Sequence, residues 1–445
     1  MKEIFGLIDA DAFYVSCERA FQPALEGKPV VVLSNNDGNI VARSHESKAL
    51  GITMGMPFFK AKPTIEKHNV TWFSSNYTLY GDVSRRVFDT IGRFVPALEH
   101  YSIDEAFVRF DGSHQEEDAH EIKQTVKRWT GIPVSIGIGP TKVLAKVASH
   151  IAKKQPEYGG VVDLSEGEAV DYYLKDFDVA NLWGIGDQYA KFLKSDGEDG
   201  SQQPDLWEGA GLEPILRKQK IETALELKRC SDSWVRKHLT IKGLRLVWEL
   251  RGISCLPLEV FEKPRKGLCS SRSFGRPVIT IEELREAVAM HCTRGGEKLR
   301  RQRLAASHLT VFISTSRFRQ NPEETYSAAA SWQLPFPTSY TPVIVAAAQA
   351  LLERVYKPGF VYHKAGVLLA DIVTDRERQQ SILFGIDNER RARLMEAVDQ
   401  INRRYGSYTV RPLTLNEGHG WEMRREHLSP RYTTRLNEVL RVKAC

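Results

Sequence analysis

The sequence predicts a multidomain protein of the α/β and α+β classes, with an acidic site along one edge of its first sheet. Three observations predict it. At 445 residues the chain exceeds one ordinary hydrophobic core, so several domains are expected. Short apolar, β-branched runs alternate with helical patterns over the first third. Finally, acids stand where strands end. Ile4–Asp9 runs apolar into Asp9, and Tyr101-Ser102-Ile103-Asp104-Glu105-Ala106-Phe107 sets two adjacent carboxylates between apolar residues.

Taken in order, residues 4–9 and 30–33 read as buried strands closed by turn residues, the second by Ser34-Asn35-Asn36-Asp37-Gly38. Residues 40–51 are helical in their later part and stop at Gly51. Leu98–Tyr101 and Ala106–Phe110 flank the acidic pair as a hairpin. Val134, Ile136 and Ile138 alternate with Ser135 and Gly137, which predicts a half-buried strand. Thr141–Lys154 follows as a helix, with Val143, Leu144, Val147 and Ile151 as its apolar stripe and Lys142, Lys146, Lys153 and Lys154 off it.

A second unit starts near Asp178. Val179–Gly186, with Trp183-Gly184-Ile185-Gly186 and a helix after it, reads as a helix-hairpin-helix or as a tight turn between helices. In the first reading the glycines let backbone N–H groups approach a nucleic-acid phosphate. Residues 196–219 read as an inserted surface loop, Val235–Leu250 as a helix, and 253–268, with Pro257, Pro264 and Gly267, as a linker.

In the third unit Leu309, Val311 and Ile313 alternate with Thr310, Phe312 and Ser314, and the strand ends in Ser314-Thr315-Ser316-Arg317. Residues 361–373 give another strand. Such a hydroxyl-bearing face suits sequence-neutral phosphate contact, or is an ordinary solvated face. From Cys269 to Ile372 there are 13 Lys/Arg against 8 Asp/Glu, so this unit is locally basic although the whole chain is only +6. Beyond about 374 the pattern becomes a polar tail. It contains a mostly apolar pentapeptide, Gln380-Ser381-Ile382-Leu383-Phe384, and a helical stretch over Glu389–Arg403.

Bulk properties exclude several classes. Six cysteines lie scattered without Cys-x-x-Cys spacing, so neither a zinc site nor a disulfide framework is expected, and a reducing cytoplasm is the expected home. No apolar run reaches the length of a membrane span, so no membrane partner is expected. The acids point to phosphate chemistry. Asp9, Asp104 and Glu105 read as the oxygen donors that two Mg²⁺ ions about 3.5–4 Å apart require for phosphoryl transfer, or, taken alone, as ordinary solvated acids.

Asp9-x-Asp11-x-Phe13-Tyr14-x-Ser16-Cys17-Glu18, Ser34–Gly38, Ser74-Ser75-Asn76-Tyr77, Ser102–Phe107, Trp183–Gly186, Ser271-Arg272-Ser273-Phe274-Gly275 and Leu428-Ser429-Pro430-Arg431-Tyr432-Thr433-Thr434-Arg435 follow in that order. In this combination essentially the whole chain resembles the UmuC branch of the Y-family translesion DNA polymerases, the catalytic subunits of bacterial DNA polymerase V. The resemblance implies a right-hand architecture: palm in 1–12 and 75–163, fingers in 13–74, and thumb with a helix-hairpin-helix in 164–252. A linker in 253–268, a little finger in 269–373 and a partner-binding tail in 374–445 complete it.

The resemblance also implies residue roles in error-prone, template-directed synthesis during the SOS response to DNA damage. Asp9 and Asp104 would bridge two Mg²⁺ ions, the Ala10 carbonyl would add a ligand, and Glu105 would complete the site that activates the primer 3′-OH. Phe13 and Tyr14 would meet the nucleotide, Tyr14 as the steric gate against a 2′-OH. Lys48, Lys153 and His45 would face the dNTP, under a roof of Val41, Ala42 and Gly55. Gly184, Gly186, Arg272, Ser314, Thr315 and Arg317 would contact primer-template DNA. Gln380, Leu383 and Phe384 would anchor a sliding clamp, and the final tail would engage a UmuD′-like dimer and a RecA filament.

Two other readings compete. A polymerase-shaped scaffold without catalysis is opposed by the retained Asp9, Asp104, Glu105 and Tyr14. A nucleotide cyclase on a palm-like sheet leaves the glycine hairpin, the basic third unit and the clamp-like peptide without a role.

Overall fold

Ile4–Ala10 is β-branched and apolar enough to lie at the middle of a sheet, and it does. In the computed structural model, which describes residues 3–111, 114–194, 220–261, 264–316, 322–374, 388–415 and 420–440, β1 (Ile4–Ala10) is the central strand of a five-stranded sheet. Its neighbours run in the order β5 (Ala97–His100), β6 (Glu105–Phe110), β1, β7 (Val134–Gly139) and β8 (Val161–Asp163). Period-two alternation sorts its side chains. Ile8, Ala106, Val108 and Phe110 face a core shared with α4 (Tyr77–Ile91) and α5 (Gln115–Thr130). Phe5, Leu7 and Phe107 face Ala145 of α6 (Lys142–Lys154) on the other side.

Two expectations are corrected here. β7 is buried along its whole length rather than half-buried, because α6 lies directly against it. A Cβ on Gly137 would fall 1.9 Å from the Ser149 nitrogen and 2.3 Å from the Ala145 oxygen, so only glycine permits the approach. Lys142, read as lying off the apolar stripe, is buried. Its ammonium lies 2.5 Å from Glu99 Oε2 and 2.8 Å from the Pro257 carbonyl, the partners a buried charge needs.

Between β1 and α4 the chain makes α1 (Phe13–Phe21) and a small module of β2 (Val30–Leu33), β3 (Ile40–Arg43), α2 (His45–Ala49), α3 (Phe58–Lys67) and β4 (Thr71–Ser74), with strand order β3-β2-β4. Val31, Leu33, Ile40, Ile52 and Ile65 close its core. After β8, a helical unit of α7 (Gly167–Lys175), α8 (Asp187–Lys194), α9 (Ala224–Arg229) and α10 (Asp232–Leu250) packs on the outer stripe of α6 through Leu174, Leu182, Leu227 and Val247. The insertion read at 196–219 lies outside the described residues.

The third unit is a four-stranded antiparallel sheet, β11 (Ser327–Thr338), β10 (Leu304–Thr315), β12 (Tyr362–Thr374) and β9 (Gly267–Val278), in that order. Leu309, Val311, Ile313, Val367 and Leu369 turn one face onto α11 (Ile281–Arg301) and α12 (Thr341–Val355). β9 opens at Gly267, inside the segment read as a linker. The tail is not a free polar segment among the described residues. α13 (Asn388–Tyr405) docks on α11 through a bidentate Arg300–Asp399 pair at 2.7 and 2.8 Å. Residues 420–435 then cross back to the first two modules.

Candidate active site

Antiparallel register places Asp9 of β1 directly opposite Glu105 of β6, so the two side chains share the α6 face. Glu105 meets Lys146 of α6 at 3.0 Å, and that ammonium lies over the rings of Tyr101 and Trp183. Asp9 meets Lys153, two turns further along α6, at 2.7 Å. Burial pushes the Asp9 carboxyl up to about 6; Lys153 pulls it down, and Glu105 and Asp104 push it further up. Burial favours loss of the Lys153 proton, but Asp9, Asp11 and Asp104 outweigh it and hold this lysine above its ordinary value.

Asp104 sits in the turn before β6. Ser102 Oγ donates to its carboxylate at 2.6 Å and accepts the Asp104 and Glu105 amides, while the Asp104 carbonyl accepts the Ala10 amide at 2.9 Å. The turn and the end of β1 are therefore one hydrogen-bonded unit. Adjacent residues face different ways: Glu105 goes to Lys146, and Asp104 lines a cleft of about 410 Å³. Among the described residues no group of three acidic, histidine or cysteine side chains forms a ready-made cation cage. The three carboxylates form instead a set of hard oxygen donors partly neutralised by two lysines, and such oxygens suit a divalent cation.

The cleft gathers residues from four segments. Ala10, Asp104 and Lys153 line it from β1, the turn before β6 and α6, Phe13 and Tyr14 from α1, and Val41, Ala42, His45 and Lys48 from β3 and α2. Ala12 makes the corner: its left-handed backbone (φ 44°) breaks the strand and starts α1, so that Phe13 and Tyr14 reach the cleft. His45 and Lys48 stand one turn apart on α2, whose first turn is capped by the Ser44 hydroxyl accepting the Ser47 amide. The Tyr14 ring stacks on Tyr80 at 4.5 Å and 16°, and burial, with Tyr77 and Asp104 nearby, pushes its hydroxyl up to about 12.

Gly55 does not line the cleft. It turns the loop beside β3 with φ 76°, and its amide donates to the Ile40 carbonyl. Arg43, Met54 and Ile103 line the cleft but were not singled out from sequence. Arg43 was legible, since it follows Val41 at period two on β3 and so shares its face.

Gly184 and Gly186 form an open turn before α8. Gly184 has φ 94°, and a Cβ on either glycine would meet nothing. Trp183 ties the turn to the acidic hairpin by donating to the Tyr101 hydroxyl at 2.9 Å. On the third unit, Ser314 lies on the open face of the sheet with Thr310, which shares a hydrogen bond with Ser331. Thr315 is turned inward, its hydroxyl accepting the Tyr326 amide at 2.9 Å. Arg272 is half-buried at a different edge, and that burial, with Arg294 and Arg425 close by, lowers it to about 10. Arg317, Gln380, Leu383 and Phe384 lie outside the described residues.

Residues 8–150 match the model of the impB/mucB/samB family and 265–382 that of the impB/mucB/samB family C-terminal domain. Residues 392–442 match a domain of unknown function. The chain is 40% identical to Protein UmuC of Salmonella typhimurium over 99% of its own length and all of that protein. It is 37% identical to Protein MucB of Escherichia coli over 97% of each. It is 25% identical to DNA polymerase IV of Desulfatibacillum aliphaticivorans over 92% of the chain and 96% of that protein. Among solved structures, a Y-family DNA polymerase chimera superposes with a TM-score of 0.63 at 20% identity, covering 83% of this chain and 99% of that one.

Proposed function

Because the chain belongs to the impB/mucB/samB family of Y-family DNA polymerases, we propose that the cleft between Asp104 and Lys48 is its polymerising centre. The chain is a DNA-directed DNA polymerase of the translesion class, with DNA as its substrate. The observation that carries the assignment is the convergence, in one cleft, of Asp104 and Lys153 with Tyr14, Lys48 and the small residues Val41 and Ala42.

Asp9, Asp104, Glu105 and the Ala10 carbonyl would hold two Mg²⁺ ions, in competition with Lys153 and Lys146 for the same oxygens. Bound there, the ions would neutralise charge on the attacking 3′-oxygen and on the pyrophosphate that leaves. The protein's own groups do the rest. Lys48, His45 and Lys153 present positive or hydrogen-bonding groups to a triphosphate, with Arg43 beside them. Phe13 and Tyr14 pack under the sugar, where a ring leaves no room for a 2′-OH. A roof of Val41 and Ala42, with Gly55 in the loop behind, leaves space for a damaged base and checks its shape little, hence error-prone synthesis in the SOS response. Gly184, Gly186, Ser314, Thr315, Arg272 and Arg317 serve the DNA backbone in this reading.

Around this core the chain works in the cytoplasm with a UmuD′-like dimer, a RecA filament and, through Gln380, Leu383 and Phe384, a sliding clamp. No described helix is long and apolar enough to cross a membrane. The test is single-nucleotide addition to a primer. Addition should follow the template base, require divalent cation and stop on chelation; addition that ignores the template would refute the assignment.

A further inference from the structure

The C-terminal segment reaches the back of the nucleotide cleft. Ser74 and Leu428 form a parallel bridge at the edge of β4, with the Ser74 amide donating to the His427 carbonyl at 2.9 Å. One residue further, Ser429 is buried, and its hydroxyl donates to Glu18 Oε1 at 2.8 Å. The same oxygen accepts the Tyr80 hydroxyl at 2.7 Å. Asn76 completes the arrangement. Its amide nitrogen donates to the Ser429 hydroxyl at 3.0 Å and to the Ser429 carbonyl at 2.9 Å, while its oxygen caps the helix that carries Tyr80. Glu18 has no exposed surface, and its Oε2 has no hydrogen-bond partner among the described residues. A buried carboxylate in that position depends on each donor it has.

Tyr80 is the other end of this relay, because its ring is the one stacked on Tyr14. We propose that Ser429 is a positioning residue for sugar selection, by which the C-terminal domain of unknown function sets the Tyr14 ring through Glu18 and Tyr80. The inference rests on the reading of Tyr14 as the sugar gate. The tyrosine pair has a soft coordinate, sliding of one ring over the other, and the Tyr80 hydroxyl tether removes it. Without Ser429, Glu18 would lose one of its two donors, and Tyr80 would hold a less constrained partner.

The experiment measures kcat/KM for one dNTP and for the matching rNTP with the full-length chain and its accessory proteins, alongside thermal melts. Ser429→Ala and Tyr80→Phe should each lower the dNTP-over-rNTP ratio on the order of threefold to tenfold, the net value of one ordinary hydrogen bond. They should act mainly through KM for the rNTP. The double variant should lose no more than either alone, since both cut one relay, and Ser429→Thr should restore the ratio. Tyr432→Phe, which removes only the Gln22–Tyr432 bond of the same segment, should leave it at the wild-type value. An unchanged ratio in Ser429→Ala and Tyr80→Phe, beside a collapse in Tyr14→Ala, would overturn the relay and leave the gate standing. An unchanged ratio in Tyr14→Ala as well would overturn the gate itself, and the relay with it.

Discussion

Lys153 holds Asp9 at 2.7 Å and reaches Asp11 at 3.6 Å, so the end of the central strand is charge-paired to α6 before any cation is bound. The pair couples the acidic site to the helix that also carries Lys146 and Lys142. Burial of the Asp9 carboxyl, which Lys153 only partly offsets, makes the site sensitive to pH.

Asp9 has its carboxyl raised from 3.8 to about 6, so a cation must displace a proton below that pH. Mg²⁺-dependent stabilisation and polymerisation should therefore weaken as pH falls through about 6. In the metal-free protein the sign is opposite: a raised carboxyl favours folding when protonated, so this contribution is present below about pH 4 and lost as pH rises through about 6. Melts with and without Mg²⁺ between pH 4 and 8 check both, and Asp9→Asn should flatten both trends.

Lys153→Met removes the group that pulls Asp9 down while leaving burial, Glu105 and Asp104 in place. The acid limb of the activity profile should move to higher pH, and KM for dNTP should rise by about tenfold or more, the value of one charge-assisted contact to a phosphate. A profile that stays in place would separate Lys153 from the titration of Asp9.

Tyr14→Ala removes a ring that lines the cleft. Ribonucleotide incorporation should rise by at least about tenfold relative to dNTP, with the fold retained because Tyr80 and Tyr77 still pack against each other. Competition between labelled dNTP and rNTP reads it directly.

Gly137→Ala tests the packing of the sheet under the site. The added Cβ meets backbone atoms of α6 rather than flexible side chains, so the helix must move. The variant should lose about 3 kcal/mol or more in urea unfolding, or fail to fold.

What the sequence made legible was local. β1 and the acidic hairpin declare themselves as short apolar runs beside acids, β10 by alternation and α6 by its stripe, because each buries its apolar residues on neighbours that any sheet would supply. β9 and β11 were not read. Ser270–Ser273 and Ala328–Ala330 are runs of small and polar residues with no apolar alternation, and Pro277, Pro335 and Pro337 interrupt the strand pattern. The stripe of α11 is interrupted by His291, Gly295 and Gly296, which the packed sheet and Ser270 explain only once they are present. Lys142 and the C-terminal segment were hidden for the same reason. Glu99 and Pro257 decide the burial of one, Glu18 and Asn76 the path of the other, and all four are remote in sequence. At the site, motif resemblance supplied what periodicity could not, and the cleft brings most of those residues together.

The most direct test of the central claim is primer extension on undamaged and abasic templates with Mg²⁺ and dNTPs, comparing the wild-type chain with Asp104→Ala. It is run first with the chain alone and then with clamp, RecA filament and a UmuD′-like partner. The account predicts Mg²⁺-dependent extension that passes the abasic site and vanishes in Asp104→Ala, while primer-template binding survives. Extension near the wild-type rate in Asp104→Ala, or silence of the wild-type chain under every condition with DNA binding intact, would contradict it.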